Sequence, residues 1–222
     1  DRSSAASDVY KRQRLDDEPL LEYEISHLIH QLMHPEPPTV GVLTGLALNA
    51  SGEQLLAQMH QHFDLTGLAS STPTVPESIK TLMVVHPRAL PEQTLYAIDQ
   101  FVLRGGKLML FIDPVSEAET DAKPVDTRLD GLLAAWGIQM PADKLLVDHA
   151  FGSGAPAVLH PAKLNLPRQA MAANDVSAWK LDTVIVSSSG ALSRVRKSRT
   201  TLTPLLQSSR RSTLLDAVSY TH

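Results

Sequence analysis

Cysteine is missing from all 222 residues, which excludes disulfides, thiolate nucleophiles and thiolate metal sites together. The redox compartment is left open by the same absence. No apolar run approaches the roughly 20 residues that cross a bilayer, and no signal peptide opens the chain. Basic charge is not in excess. Twenty Lys and Arg stand against 24 Asp and Glu, for a formal net charge of -4, so the basic footprint of a nucleic-acid binder is lacking and no nucleic acid is expected as a partner. Arg194 to Arg199 is a local exception, read as a solvated hairpin or edge strand. There is no Gly-x-Ser-x-Gly, no Walker Lys-Ser/Thr signature, no internal repeat and no low-complexity tract.

What is present is an ordinary globular composition, 43% hydrophobic and 20% charged, on a chain long enough to bury one sizeable core. Leu20, Leu21, Ile25, Leu28, Ile29 and Leu32 recur at the three- and four-residue spacing of an amphipathic helix, which Pro35, Pro37 and Pro38 end. Val40 to Leu46 reads as a buried strand running into a loop through Asn49 and Ser51. Glu53 to Phe63 is the next helix, a weak strand follows at Asp64 to Leu68, and Ser70 to Pro76 is a surface loop.

The clearest block begins at Thr81. Leu82 to Val85 is a continuous apolar strand of the kind buried on both faces, ended by Pro87. Pro91 and Glu92 suit a helical first turn, Leu95, Ile98, Phe101 and Val102 give a helical face, and Gly105-Gly106 closes it. Leu108 to Ile112 then forms a second buried strand, so Thr81 to Asp113 is a strand-helix-strand unit of a parallel sheet. Beyond it, Pro114 to Asp126 is an exposed loop and Arg128 to Trp136 a helix stopped by Gly137. Lys144 to Val147 is a strand, Phe151 to Asn174 an irregular excursion, and Leu181 to Val186 a last strong strand. The fold class that results is α/β, a three-layer sandwich with a mainly parallel sheet, Rossmann- or flavodoxin-like. Its single domain spans 14–217, with a core at about 39–150, the excursion at 151–175 and final strands at 181–209.

α/β folds bind ligands at the carboxyl ends of their strands. Thr44, Gly45 and Asn49 follow the first strand, and His86 and Asp113 share that edge. These residues are the candidate ligand site, although polar loop groups of this kind also cap the helices that follow. No catalytic residue is assigned. At the turn where a hydrolase would carry Ser or Cys the chain has His86-Pro87, and Ser187, Ser188 and Ser189 read as turn residues with no base placed beside them. His30 and His34 have a zinc-compatible spacing, with His27 on the same flank, but no Glu lies between them and a polar helix face explains all three. His60 and His62 diverge, and Trp136 belongs to the core. No cofactor or metal is expected.

The ends read differently from the rest. Asp8 to Gln13 is a translation of one short DNA string and Val218 to His222 a translation of its reverse complement, a string that resembles a transposase mosaic end. Residues 1–13 and 218–222 are therefore expected to be adaptor-derived, around an internal fragment.

The run Leu82-Met83-Val84-Val85-His86-Pro87, continued by Leu95 to Lys107 and Phe111-Ile112-Asp113-Pro114, resembles the GldG-like auxiliary components of gliding-motility-type ABC transport systems. Leu21-Glu22-Tyr23-Glu24, Val40-Gly41-Val42-Leu43, Leu132 to Gly137, Leu181-Asp182-Thr183 and Thr203 to Ser209 support it, so that the likeness covers most of residues 15–215. The resemblance implies an extracytoplasmic domain similar in fold to class I glutamine amidotransferases but without their nucleophile. Such a domain sits at the periplasmic face of the inner membrane, held by membrane helices that this fragment lacks, beside an ABC permease and ATPase. It transfers no catalytic residue. The expected function is a non-catalytic auxiliary or ligand-binding component. The alternatives are a degenerate amidotransferase-like hydrolase using His86, Asp113 or a bound metal, or a carbohydrate-binding module at the same edge, where a small ligand or glycan would sit.

Overall fold

A computed structural model of the chain describes residues 18–46, 50–115, 129–155 and 158–217. Its largest sheet holds four parallel strands. β1 (Thr39–Thr44) lies between β2 (Asp64–Gly67) and β3 (Thr81–Val85), and β4 (Lys107–Phe111) flanks β3, in the order β2-β1-β3-β4. Helix α1 (Glu18–Met33) precedes the sheet, α2 (Ala50–Met59) joins β1 to β2, and α3 (Glu92–Leu103) joins β3 to β4. Parallel neighbours require such crossovers. The chain steps outward from β1 in one direction to β2 and in the other to β3 and β4, so strand order reverses between β1 and β3.

The strand-helix-strand unit is present as expected. Pro91 enters α3 with φ -61, and Thr94, Ala97, Ile98 and Phe101 are its buried residues. Leu95 and Val102 are only partly buried, so the inward face is turned slightly from the one read in the sequence. Gly105 leaves the helix at φ 88, a conformation that glycine adopts without Cβ strain. The main core gathers Leu43 from β1, Leu82 and Val84 from β3, Ile98 and Phe101 from α3, and Leu129 and Leu133 near the later helix. The loop at Ser70 to Pro76 is tied down more than its composition implies: Thr94 Oγ1 donates to the carbonyls of Ser70 and Thr72, and Val75 is buried.

Four expectations need correction. Leu108 to Ile112 is not buried on both faces. β4 stands at the sheet edge, with Met109 and Phe111 each 49% exposed while Leu108 and Leu110 pack against the core. The mainly parallel sheet holds only for this one. The other seven of the 11 described strands pair antiparallel: β5 (Ile138–Gln139) with β10 (Ser193–Arg194), β6 (Lys144–Asp148) with β11 (Ser212–Asp216), and β8 (Val158–Pro167) between β7 (Gly152–Ala155) and β9 (Thr183–Ser187).

The excursion at 151–175 is therefore largely sheet. Ala162, Leu164 and Leu166 are buried while Lys163 and Asn165 are exposed, which is strand alternation that Pro161 and Pro167 disguise. The last strand also lies beyond 181–209, at β11. Helix α4 (Asp130–Ala135) ends through Trp136 and Gly137, the latter at φ 82. Helix α1 carries its apolar stripe largely uncovered, with Ile25, Ile29, Leu32 and Met33 all exposed.

Candidate functional site

Two backbones meet where the strand order reverses. Thr44 ends β1 opposite Val85 of β3, and its Oγ1 accepts a hydrogen bond from the Leu46 amide at 3.1 Å. Gly45 follows, its amide donating to the Val85 carbonyl at 3.0 Å. A Cβ on Gly45 would stand 2.3 Å from the His86 carbonyl oxygen and 3.1 Å from the Arg88 nitrogen, so only glycine admits this approach.

His86 begins the turn after β3 in a left-handed conformation, φ 42, and Ala89 repeats it at φ 40. Such angles are uncommon outside glycine and persist only where the surroundings enforce them. Here the His86 amide donates to the Phe111 carbonyl at 2.8 Å, which ties the turn to the end of β4. The imidazole is 4% exposed, and its Nε2 has no hydrogen-bond partner among the described residues. Burial, and after it the positive charge of Arg88, lowers the affinity of His86 for a proton below that of an ordinary histidine. The ring is consequently held neutral.

Asp113 lies two residues past β4, half-buried, next to the buried Pro114 and Val115. The Pro114 ring in turn packs against Gly190, where an added Cβ would stand 3.1 Å from its Cγ. The structure thus brings Thr44, His86 and Asp113 to one carboxyl edge, on three adjacent strands. Asn49 lies outside the described residues. At His86 this edge is filled by side chain and backbone. Two clefts lie elsewhere. One of about 350 Å³ is apolar, lined by Leu108, Leu110, Ile112, Trp136 and Leu192 among others. The second, about 420 Å³, lies at the opposite, amino ends of β3 and β4 beside Glu77, Lys80, Arg104 and Lys107. Neither is lined by Thr44, His86 or Asp113.

Ser188 and Ser189 follow β9 in a turn packed between strands. Ser188 is 2% exposed at φ 52, its amide donating to the Ala162 carbonyl at 3.1 Å, while the Ser189 carbonyl accepts from Leu146 at 2.8 Å. They join β9 to β8 and β6. His30 and His34 lie with ring centroids 4.6 Å apart, and among the described residues no group of three or more His, Cys, Asp or Glu is arranged to hold a metal. Trp136 joins the core margin as expected, its Nε1 donating to Asp99 Oδ1 at 2.9 Å.

Sequence reading missed Asp148. At the end of β6 this residue is 0% exposed, and its carboxylate accepts from the Ser209 amide at 2.6 Å, the Ser209 hydroxyl at 2.7 Å, the Ala150 amide at 2.8 Å and the Phe151 amide at 3.2 Å. Burial alone would raise its pKa, but the two bonds from Ser209 and those from Ala150 and Phe151 outweigh it and hold the group below the usual carboxylate range. With four hydrogen bonds accepted from the protein's own chain, Asp148 is a clamp between two turns. A lone Asp after an apolar strand gave no signal of this in the sequence.

A family profile described as an ABC-type uncharacterized transport system, auxiliary, matches residues 37–221. The chain belongs to this family. The match starts two residues before β1, so it takes in the parallel sheet and the antiparallel half together and leaves α1 outside. No curated protein and no solved structure matches the chain. The GldG-like resemblance read from Leu82 to Pro114 agrees with this membership, and the family ties the chain to an ABC-type transport system. Among the described residues no helix is long and apolar enough to cross a membrane.

Proposed function

We propose that this domain is a non-catalytic, extracytoplasmic auxiliary component of an ABC transport complex, working beside a permease and an ATPase at the periplasmic face of the inner membrane. The observation that carries the reading is His86. In a three-layer fold similar to class I glutamine amidotransferases, the turn after this strand holds the nucleophile. Here it holds an imidazole, 4% exposed, on a backbone at φ 42, with the neighbouring Gly45 loop pressed against it. A neutral buried ring has no hydroxyl or thiol to activate, and a filled edge suits a surface that assembles better than one that turns substrate over.

The test is co-expression with the permease and ATPase of an ABC system from the same organism, followed by affinity purification from detergent-solubilised membranes. Recovery of both subunits with the tagged domain, and loss of transport in a strain deleted for it, are expected. A deletion strain with unimpaired transport and no co-purification would sink the reading.

A ligand-binding variant of the same role draws on the unpartnered Nε2 of His86, a buried polar atom of the kind that a bound hydroxyl satisfies. Titrating nitrogen-15-labelled protein with a panel of mono- and disaccharides while following the His86 ring resonances checks it. Unmoved resonances across the panel count against it.

A further inference from the structure

Cationic residues gather at the amino ends of β3 and β4. Glu77 to Lys80 leads into β3, and Arg104-Gly105-Gly106-Lys107 joins α3 to β4. The parallel register sets the two segments side by side: Thr81 stands opposite Lys107, and the Lys107 amide donates to the Lys80 carbonyl at 3.0 Å. Between them opens the cleft of about 420 Å³. Phe101, 3% exposed, lines its base, and an added Cβ on Gly106 would stand 2.4 Å from Phe101 Cζ, so only glycine fits at this point of the wall. Two of the charges are tied in place. Lys80 Nζ donates to the Glu77 carbonyl at 2.9 Å, and Arg104 Nη2 donates to the Val75 carbonyl at 3.3 Å. A backbone carbonyl is neutral, so each bond restrains a cation without cancelling its charge, and both groups keep further donors.

We infer that this cleft binds a phosphate ester, its phosphate held between Lys80, Arg104 and Lys107. Arg104 is the C-cap of α3 and complements the negative end of that helix, but Lys80 and Lys107 come from the starts of the strands and bring positive charge beyond what the helix end draws. The three cations are carried by three separate segments, the lead-in to β3, the end of α3 and the start of β4. That suits an anion with acceptor oxygens on several sides and more than one charge, whereas a single guanidinium already satisfies both oxygens of a carboxylate. Glu77 on the same rim limits the excess of charge, which fits one phosphate group and disfavours a long polyanion. The cleft is larger than a phosphate alone and has the size of small-molecule pockets, so room remains for the organic part against Phe101. A soluble phosphomonoester and a phospholipid headgroup share this chemistry. The site is separate from the His86 edge, at the other end of the same strands.

Titrating the nitrogen-15-labelled whole chain with sn-glycerol 3-phosphate, against sodium chloride at matched ionic strength, is expected to shift the amides of Lys80 and of Arg104 to Lys107 along a saturable curve that chloride does not reproduce. Lys80→Gln and Lys107→Gln should each weaken binding about fivefold, the weight of one unit charge a few ångströms away in water, while Lys107→Arg should retain it. Glu77→Gln removes the opposing carboxylate and should tighten binding by about twofold to fivefold, a gain that a misfolded variant cannot produce. Circular dichroism checks the fold of the glutamine variants at the two lysines. Co-sedimentation with equimolar phosphatidylcholine–phosphatidylglycerol vesicles, against phosphatidylcholine alone, separates the two sources. Retention that needs phosphatidylglycerol and is lost in Lys80→Gln and Lys107→Gln assigns the ligand to a lipid headgroup. A chain that stays in the supernatant and still saturates with glycerol phosphate assigns it to a soluble ester. The inference is overturned by a chain that neither saturates with glycerol phosphate nor follows phosphatidylglycerol, by binding indifferent to the lysine and Glu77 variants, or by equal shifts in matched chloride.

Discussion

Gly45 and His86 meet backbone to backbone, with 2.3 Å between the carbonyl oxygen of one and the place where a side chain would begin on the other. Main-chain atoms on both sides leave nothing flexible to yield. Gly45→Ala is therefore expected to force β1 and β3 apart at their carboxyl ends and to lower stability by about 1–3 kcal/mol, the range of an overpacked core. Urea unfolding monitored by tryptophan fluorescence measures it. A variant as stable as the parent would show that the two turns are not held in contact.

His86 and Asp148 give proton linkages of the same sign in two different pH ranges. The folded state lowers the His86 pKa, so the unfolded chain binds the proton first, and stability contributed by the neutral ring is lost as pH falls through and below the ordinary histidine range. His86→Asn, a residue that tolerates the left-handed backbone better than most, removes that dependence. Urea midpoints measured from neutral to mildly acidic pH should flatten in the variant.

Asp148 is also depressed, but as an acid: its ionised form stabilises the fold above the unfolded carboxylate pKa, and the contribution is lost as pH falls through the folded value. Asp148→Ala leaves the amides of Ser209, Ala150 and Phe151 without their acceptor and is expected to cost about 2–3 kcal/mol at neutral pH. The difference between variant and parent should shrink below the carboxylate range. A difference that does not vary with pH would refute the charged clamp.

Trp136 offers a conservative probe. Trp136→Phe keeps the ring in the core margin and deletes the Nε1 bond to Asp99, for an expected loss of about 1 kcal/mol. Asp99→Asn keeps an acceptor and should lose less. Thermal melts of the pair compare the two directly.

Lys197 is exposed at φ 66 in the turn after β10, a region that costs a residue with a Cβ about 1–2 kcal/mol. Lys197→Gly removes that strain, against the greater freedom glycine has when unfolded, for a net gain of a few tenths to about 1 kcal/mol. A lower melting temperature would argue against the left-handed turn.

Local signals carried as far as local physics allows. Thr81 to Phe111 was legible because its strand runs, Pro91 entry and Gly105 exit all act within a few residues of themselves. Thr44, His86 and Asp113 could be placed at one edge because parallel topology sets the carboxyl ends of β1, β3 and β4 side by side. That His86 would be buried on a left-handed backbone was not legible, since Gly45 enforces it from a separate loop. β8 was hidden by its two prolines, which removed the local signal while Ala162, Leu164 and Leu166 kept the alternation. β11 and the Asp148 clamp depend on partners far along the chain, and no window of neighbouring residues contains them.

The clamp also sets an order of events during synthesis. Thr81 to Phe111 can close on itself once its own residues have emerged, but the Asp148 carboxylate must wait for Ser209, 61 residues later, and β6 waits for β11. Contacts this distant form late because the intervening chain must first be brought round. A nascent chain halted before Ser209 would carry a finished parallel unit and an open, unneutralised second half. Proteases and chaperones would meet the molecule there.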